Sequence, residues 1–315
     1  MSFTSDVKQE LSLKEYDAKE ERAALSALIQ MMATLNISSK GMAIAAVTEN
    51  AAVSRAVYRM IRSRYQADIE TSVRRRMNLN KNLIYGLKIY GPVTDILKDL
   101  GIYSARGLLD RPLQKIVSND AWARAYLAGA FMADGSVNSP QTSGYHLEIK
   151  AGNEIHADFL IGLMERFDIH ARKIRRRAKW VVYLKSSEKI SDFLRAAGAY
   201  QCLLEFENER ISRDFMNNVQ RLNNVDVANE VKSMKASREQ LADIELLEEY
   251  DQLRYLDEKV QQVARLRKEN PEATLNELAE LYETKTGSSV SKSGMKHRFV
   301  KIRDLAGKVR REHGE

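Results

Sequence analysis

Residues 127–135 read LAGAFMADG, and how this stretch is understood decides the fold. It extends a helical pattern that opens near Asp120. Ala128 and Gly129 are small enough to let a second helix approach the backbone closely. Asp134 and Gly135 then form a common turn pair, and an Asp leaving a helix bonds readily to nearby backbone. Counting back 102 positions, residues 25–33 read LSALIQMMA, again helical, continuing a pattern from about Asp17. Met32 stands there at the place of Asp134.

The offset recurs. VRRR at 73–76 is followed by NLIYGLKI at 82–89, and IRRR at 174–177 by KWVVYLK at 179–185. Tyr65 and Phe167, each closing an apparent helix, lie 102 positions apart. Two copies at so long a period mean a duplicated domain and not a solenoid. Residues 51–65 and 154–167 carry apolar side chains at helical spacing. The segments that follow alternate and are rich in Ile, Val, Tyr and Arg, as half-exposed hairpins are; 169–177 and 179–184 make the second pair. Each copy is therefore expected to run helix, strand pair, helix, strand pair, helix. Arg74, Arg75, Arg76, Arg175, Arg176 and Arg177 are expected to face outward as DNA-binding residues.

The fold class expected is α+β: a duplicated αββαββα domain with a pseudo-twofold axis, followed by an all-α domain. The boundaries expected are 1–105 for the first copy, 106–204 for the second, a linker helix at 205–222, and a C-terminal domain at 223–315.

In that last region strand-like alternation stops. Residues 225–247 and 258–268 read as helices, and Pro271 interrupts. Thr274 followed by Glu277 is a capping box that opens the helix TLNELAELY. A polar loop, ETKTGSSV, leads to SKSGMKHRFVKIRDLAGKVRR. A capped helix, a turn and a basic helix form the helix-turn-helix pattern, here with its core at 274–306. Val290, Met295, Phe299, Ile302 and Leu305 supply the buried side. Ser291, Lys292, Ser293, Lys296, His297, Arg298 and Lys301 are expected to face DNA. The first residues of a recognition helix reach base edges, while Lys and Arg along it meet phosphates. His297 has no Cys or His at ligand spacing, so it reads as a polar contact.

Composition is compatible with this reading. The chain has 315 residues, of which 44% are hydrophobic, with 15 Gly and 4 Pro, as in two or three folded domains. A net charge of +7 suits a polyanionic partner, and residues 285–315 carry nine Lys/Arg against three Asp/Glu. The single cysteine, Cys202, excludes an internal disulfide and a cysteine metal cluster. No apolar run reaches the roughly 18–20 residues that span a bilayer, and the charged N-terminus is no secretory signal. A cytoplasmic, nucleoid-associated protein is expected.

Residues 15–200, and above all LAGAFMADG, resemble the single-chain LAGLIDADG homing endonucleases. That resemblance implies two helices packed along the axis, two sheets forming a saddle over the DNA major groove, and one acid from each helix beside the scissile phosphates. Magnesium-assisted cleavage needs those hard oxygen ligands. Met32 offers only a thioether, so half the metal site is missing. Gln30 is nearby in sequence, but a neutral amide is a poor substitute.

With VDVANEVKSMKASREQLADI, NPEATLNELAEL and SKSGMKHR, the whole chain resembles the WhiA family, which joins a degenerate LAGLIDADG domain to a helix-turn-helix. The resemblance implies a non-catalytic DNA-binding regulator tied to bacterial cell division, chromosome segregation and, in spore formers, sporulation. Its expected partners are double-stranded DNA and a protein co-regulator; no cofactor, metal, membrane or small-molecule substrate is expected. Two alternatives stand beside it. One is an active magnesium-dependent endonuclease using Asp134. The other is a scaffold that touches DNA only through its helix-turn-helix.

Overall fold

The computed structural model describes residues 2–38, 41–75, 83–142 and 144–313. The chain divides into two compact units, Met1–Asp214 and Phe215–Glu315.

The first unit opens with α1 (Phe3–Leu13), a helix that lies outside the repeat. The first copy follows: α2 (Ala18–Met32), β1 (Ala33–Ser38), β2 (Gly41–Thr48), α3 (Ala51–Arg64), β3 (Asp68–Arg75), β4 (Leu83–Tyr90) and α4 (Val93–Asp99). A short hairpin, β5 (Tyr103–Ser104) with β6 (Gly107–Leu108), leads to the second copy. That copy comprises α5 (Asp120–Asp134), β7 (Gly135–Val137), β8 (Leu147–Ala151), α6 (Glu154–Glu165), β9 (Arg172–Arg176), β10 (Lys179–Leu184) and α7 (Ser187–Ala197). Both copies have the αββαββα order read from the sequence. Both sheets are antiparallel, in the orders β1-β2-β4-β3 and β7-β8-β10-β9.

The two nonapeptide helices start where local chemistry dictates. Asp17 caps α2 in a full capping box with Glu20, and the Asn119 side chain accepts from the Ala121 N–H at the start of α5. They pack along their length, and Gly129 makes the approach possible. A Cβ there would lie 2.3 Å from the Ala24 carbonyl oxygen, closer than any carbon tolerates, so only glycine fits. The two sheets close over this helix pair, with Ile44, Leu87 and Ile89 from the first and Leu147, Ile149 and Val182 from the second in one common core.

The second unit is all-helical. The helix α8 (Tyr200–Glu249) is continuous from the first unit into the second, so the stretches 205–222 and 225–247 are parts of one element. Nothing in 222–225 breaks it: Asn223 and Asn224 are the weakest helix formers there, and neither is Gly or Pro. Its last turns pack with α9 (Glu258–Glu269), α10 (Leu275–Thr286) and α11 (Lys292–His313) around Leu247, Val263, Leu278, Met295, Phe299 and Ile302. Arg267 is buried among them. Its guanidinium donates to Gln240 at 3.0 Å and to the Ala273 carbonyl at 2.5 Å, and it lies over the Phe299 ring. The otherwise costly burial of a cation is offset by these acceptors.

Candidate nucleic-acid interface

The ends of α2 and α5 meet at one cleft of about 980 Å³. Met32 and Asp134 both line it, as their matching positions in the repeat require. Asp134 is engaged by the Lys179 ammonium of β10 at 2.5 Å. Lys8 of α1 and Lys150 of β8 line the same cleft. Two carboxylates line the cleft, Asp134 already held by an ammonium and Glu49 from the loop after β2; with a thioether in place of the second helix acid and two further lysines, they make a poor donor set for Mg²⁺, which requires several hard oxygens. Gln30 lies elsewhere in function: the Tyr126 hydroxyl donates to its Oε1 at 3.0 Å, and its Nε2 donates to the Leu109 carbonyl at 3.1 Å.

The sheets have one face on the helices and one open face, and strand register assigns every residue to one or the other. In the second sheet Arg175 sits opposite Trp180, which pairs with buried Ala151; Arg175 thus belongs to the helix-facing side. So does Lys173, which bridges Glu154 and Asp158 of α6. Arg176 shares the open face with Lys150, Arg172 and Lys179. Arg177 is exposed at the hairpin tip with φ of 56°, in the left-handed region. The expectation of an outward arginine triplet therefore needs correction. Adjacent residues on a pleated strand point to opposite faces, and the pleat divides the triplet. The same holds in the first sheet. Arg74 is paired with Ile84 on the open face, and Arg75 with Leu83 on the helix side beyond the core. Arg76 lies outside the described residues.

One carboxylate organises the basic open face. Glu148 is nearly buried and takes contacts from His146 at 3.2 Å, Lys150 at 3.3 Å and Arg176 at 3.3 Å. Burial pushes its carboxyl up, but the His146 hydrogen bond and the Lys150 and Arg176 charges together hold it below its usual range. Lys150, Lys179 and Arg172 carried no local signal beyond the strand alternation, which places them on the same face as Arg176.

In the second unit the capping box at Thr274 forms as read. The helix it opens runs on to Thr286, where Gly287 ends it in the left-handed conformation with φ of 69°. The turn to α11 is thus 287–291, shorter than the ETKTGSSV loop read from the sequence, because Glu283–Thr286 continue the helix. Ser291 caps α11: its hydroxyl accepts from the Gly294 N–H at 3.2 Å. Lys292, Ser293, Lys296 and His297 are exposed on its first turns, and Met295, Phe299 and Ile302 form its buried side. Two of the residues expected outward are engaged within the unit. The Arg298 guanidinium lies 4.4 Å from the centre of the Tyr282 ring, and Lys301 pairs with Asp257 at 2.9 Å. Among the described residues no helix is long and apolar enough to cross a membrane.

Comparison with known proteins follows the same division. Three family models match: the WhiA N-terminal LAGLIDADG-like domain at residues 18–103, the WhiA LAGLIDADG-like domain at 123–216, and the WhiA C-terminal helix-turn-helix domain at 219–306. The chain is 42% identical over 311 residues to a protein named "Probable cell division protein WhiA" from Staphylococcus epidermidis, covering 98% of each chain. The chain belongs to the WhiA family. A WhiA relative from Staphylococcus aureus of the same name is 40% identical over 310 residues. Full-length WhiA from Thermatoga maritima has the same fold, with a TM-score of 0.60 at 23% identity, covering 98% of this chain and 99% of that one. Helix α1 precedes the first residue matched by the WhiA models, so Lys8 enters the cleft from outside the repeat.

Proposed function

We propose that this chain is a non-catalytic DNA-binding regulator that acts in bacterial cell division and chromosome segregation, working in the cytoplasm on the nucleoid. The observation that carries the reading is the start of α11. There Lys292, Ser293, Lys296 and His297 stand exposed over two turns, on a helix held rigid by Met295 and Phe299. In this reading Ser293 and His297 meet base edges and Lys292 and Lys296 meet phosphates. Ser291 and Arg298 hold the helix in shape, and Lys301 exchanges Asp257 for a phosphate. The basic open face of the second sheet, with Arg172 and Arg176, adds a sequence-independent grip. The names of the WhiA relatives supply the cellular context, and a transcriptional role with a protein co-regulator is part of the proposal. The non-catalytic reading rests on Met32 opposite an Asp134 already tied to Lys179.

A paired assay tests it. Labelled duplex fragments are incubated with the full chain and Mg²⁺, and retention and strand cleavage are followed across a salt series. Salt-sensitive retention with intact strands is expected. Lys296→Ala and Lys301→Ala should each lower the salt slope by about one unit, and Ser293→Ala or His297→Ala should relax sequence preference. Cleavage that disappears in Asp134→Asn would overturn the non-catalytic reading. Unchanged binding by all four α11 variants would overturn the recognition helix.

A further inference from the structure

The cleft at the paired helix ends holds cations that the fold does not require. Lys179 has Asp134, and Lys150 shares Glu148 with His146 and Arg176. Lys8 of α1 lines the same cleft and makes no hydrogen bond or ion pair among the described residues. Lys8 is half-buried, and an ammonium partly withdrawn from water without a close acceptor gains from a bound anion. The cleft is also placed to meet nucleic acid. Its walls include open-face residues of both sheets, Val47 and Ile84 from the first and Lys150 and Lys179 from the second. A duplex lying across both open faces passes over it.

We propose that this cleft is a phosphate site, in which Lys8, Lys150 and Lys179 hold one phosphate group without cutting it. The inference rests on the DNA-binding reading for its preferred source, the backbone of a duplex; inorganic phosphate presents the same chemistry. The lysines take the part that a divalent cation plays at the paired acids of a nuclease: they balance phosphate charge. They provide no metal-bound water to attack it. Asp134 orients Lys179 and, with Glu49, offsets part of the cleft's positive charge.

Burial pushes the Lys8 ammonium down to about 8, with the Asp134 and Glu49 carboxylates pulling it up and Lys150 pushing it further down. Lys179 is the remaining charged group lining the cleft. The Lys8 contribution is therefore expected at pH 7 and weakens as pH rises above about 8, the bound phosphate itself holding the proton on to higher pH.

The test uses the full chain with two probes, a labelled duplex and inorganic phosphate. The variants are Lys8→Gln, Lys8→Arg, Lys179→Gln and the pair Arg172→Ala/Arg176→Ala, each checked by thermal melting. Expected is a loss of about one unit of salt slope in Lys8→Gln and in Lys179→Gln, with the wild-type slope kept in Lys8→Arg. The Lys8→Gln loss should be smaller at pH 9 than at pH 7. If Lys8→Gln leaves the duplex slope intact but abolishes a saturable phosphate titration seen with wild type, the site stands and its occupant is free phosphate. If the Lys8 and Lys179 variants change neither probe while the Arg172/Arg176 pair lowers the slope, the phosphate site is overturned and the DNA reading of the sheet survives. If the Arg172/Arg176 pair also leaves the slope unchanged, both are overturned, and the α11 variants alone then carry the DNA reading.

Discussion

The two copies of the αββαββα unit carry different charge on their open sheet faces. Their strand orders match, and their central helices are of equal length, 15 residues each. Their open sheet faces do not match. In the first, Asp68 and Glu70 stand beside Lys88 and Arg74, and Tyr90 donates its hydroxyl to Glu70 at 3.0 Å, so charge is balanced. In the second, Lys150, Arg172, Arg176 and Lys179 surround a single nearly buried acid, Glu148. Every core position is constrained by packing and every open-face position only by solvent or a ligand. Divergence therefore gathers on the open faces, and a grip on DNA is expected to be lopsided toward the second copy.

The interiors diverge as well, and there the effects are larger. Gly129 is the point of closest approach between α2 and α5, whereas its counterpart 102 residues earlier, Ala27, carries a methyl group in the buried interior. Gly129→Ala should cost about 3 kcal/mol or more, because the methyl meets backbone and a whole helix must shift. Ala27→Gly should cost only about 1 kcal/mol, from helix propensity. Urea unfolding of the two variants measures the difference, and equal losses would break the picture of one asymmetric crossing.

The second copy also buries a titratable pair that the first lacks. Tyr126 and His156 stand where the first copy has Ala24 and Ser54, and the two side chains lie 2.8 Å apart. Tyr126 donates to Gln30, which leaves its oxygen to accept from the His156 Nε2–H. Burial pushes His156 down to about 4. The sign follows: between about pH 6.5 and 4 the unfolded chain takes up a proton that the folded one refuses, so stability falls as pH drops through that window. The loss should approach about 3 kcal/mol for a shift of this size. Melting of the first unit across that range is the measurement, and His156→Gln should flatten the dependence.

A smaller effect tests the sheets directly. Arg172→Ala/Arg176→Ala should remove nearly two units of salt slope from duplex binding, while Arg74→Ala/Lys88→Ala, on the balanced face, should remove less than one. Equal slopes for the two pairs would mean that both copies grip alike, or that neither does. The smallest effect concerns Tyr65, whose hydroxyl donates to Asp99 at 2.7 Å beside Arg64 and Arg22. Its counterpart Phe167 has no hydroxyl. Tyr65→Phe should cost about 1 kcal/mol, read by the same unfolding assay.

Much of this architecture was legible because its signals are local. Asp17 marked the start of α2 and Thr274 with Glu277 the start of α10, since a cap is a contact across three residues. The 102-residue offset brought Met32 and Asp134 to one cleft without any coordinates. The arginine triplets were legible as strand, but their division between two faces required the register. Lys8 carried no signal, because the groups it faces lie on β2's exit loop, α5 and β8, far along the chain. Arg298 over Tyr282 and Lys301 on Asp257 are likewise meetings of distant residues.

The sequence by itself determined the duplicated α+β domain, the helical second unit and its basic, capped last helix, because periodic burial and caps act over a few residues. Only the tertiary structure decided which charges share a surface and which are already engaged. A Coulomb contact depends on distances of a few ångströms between side chains that sequence separation does not record.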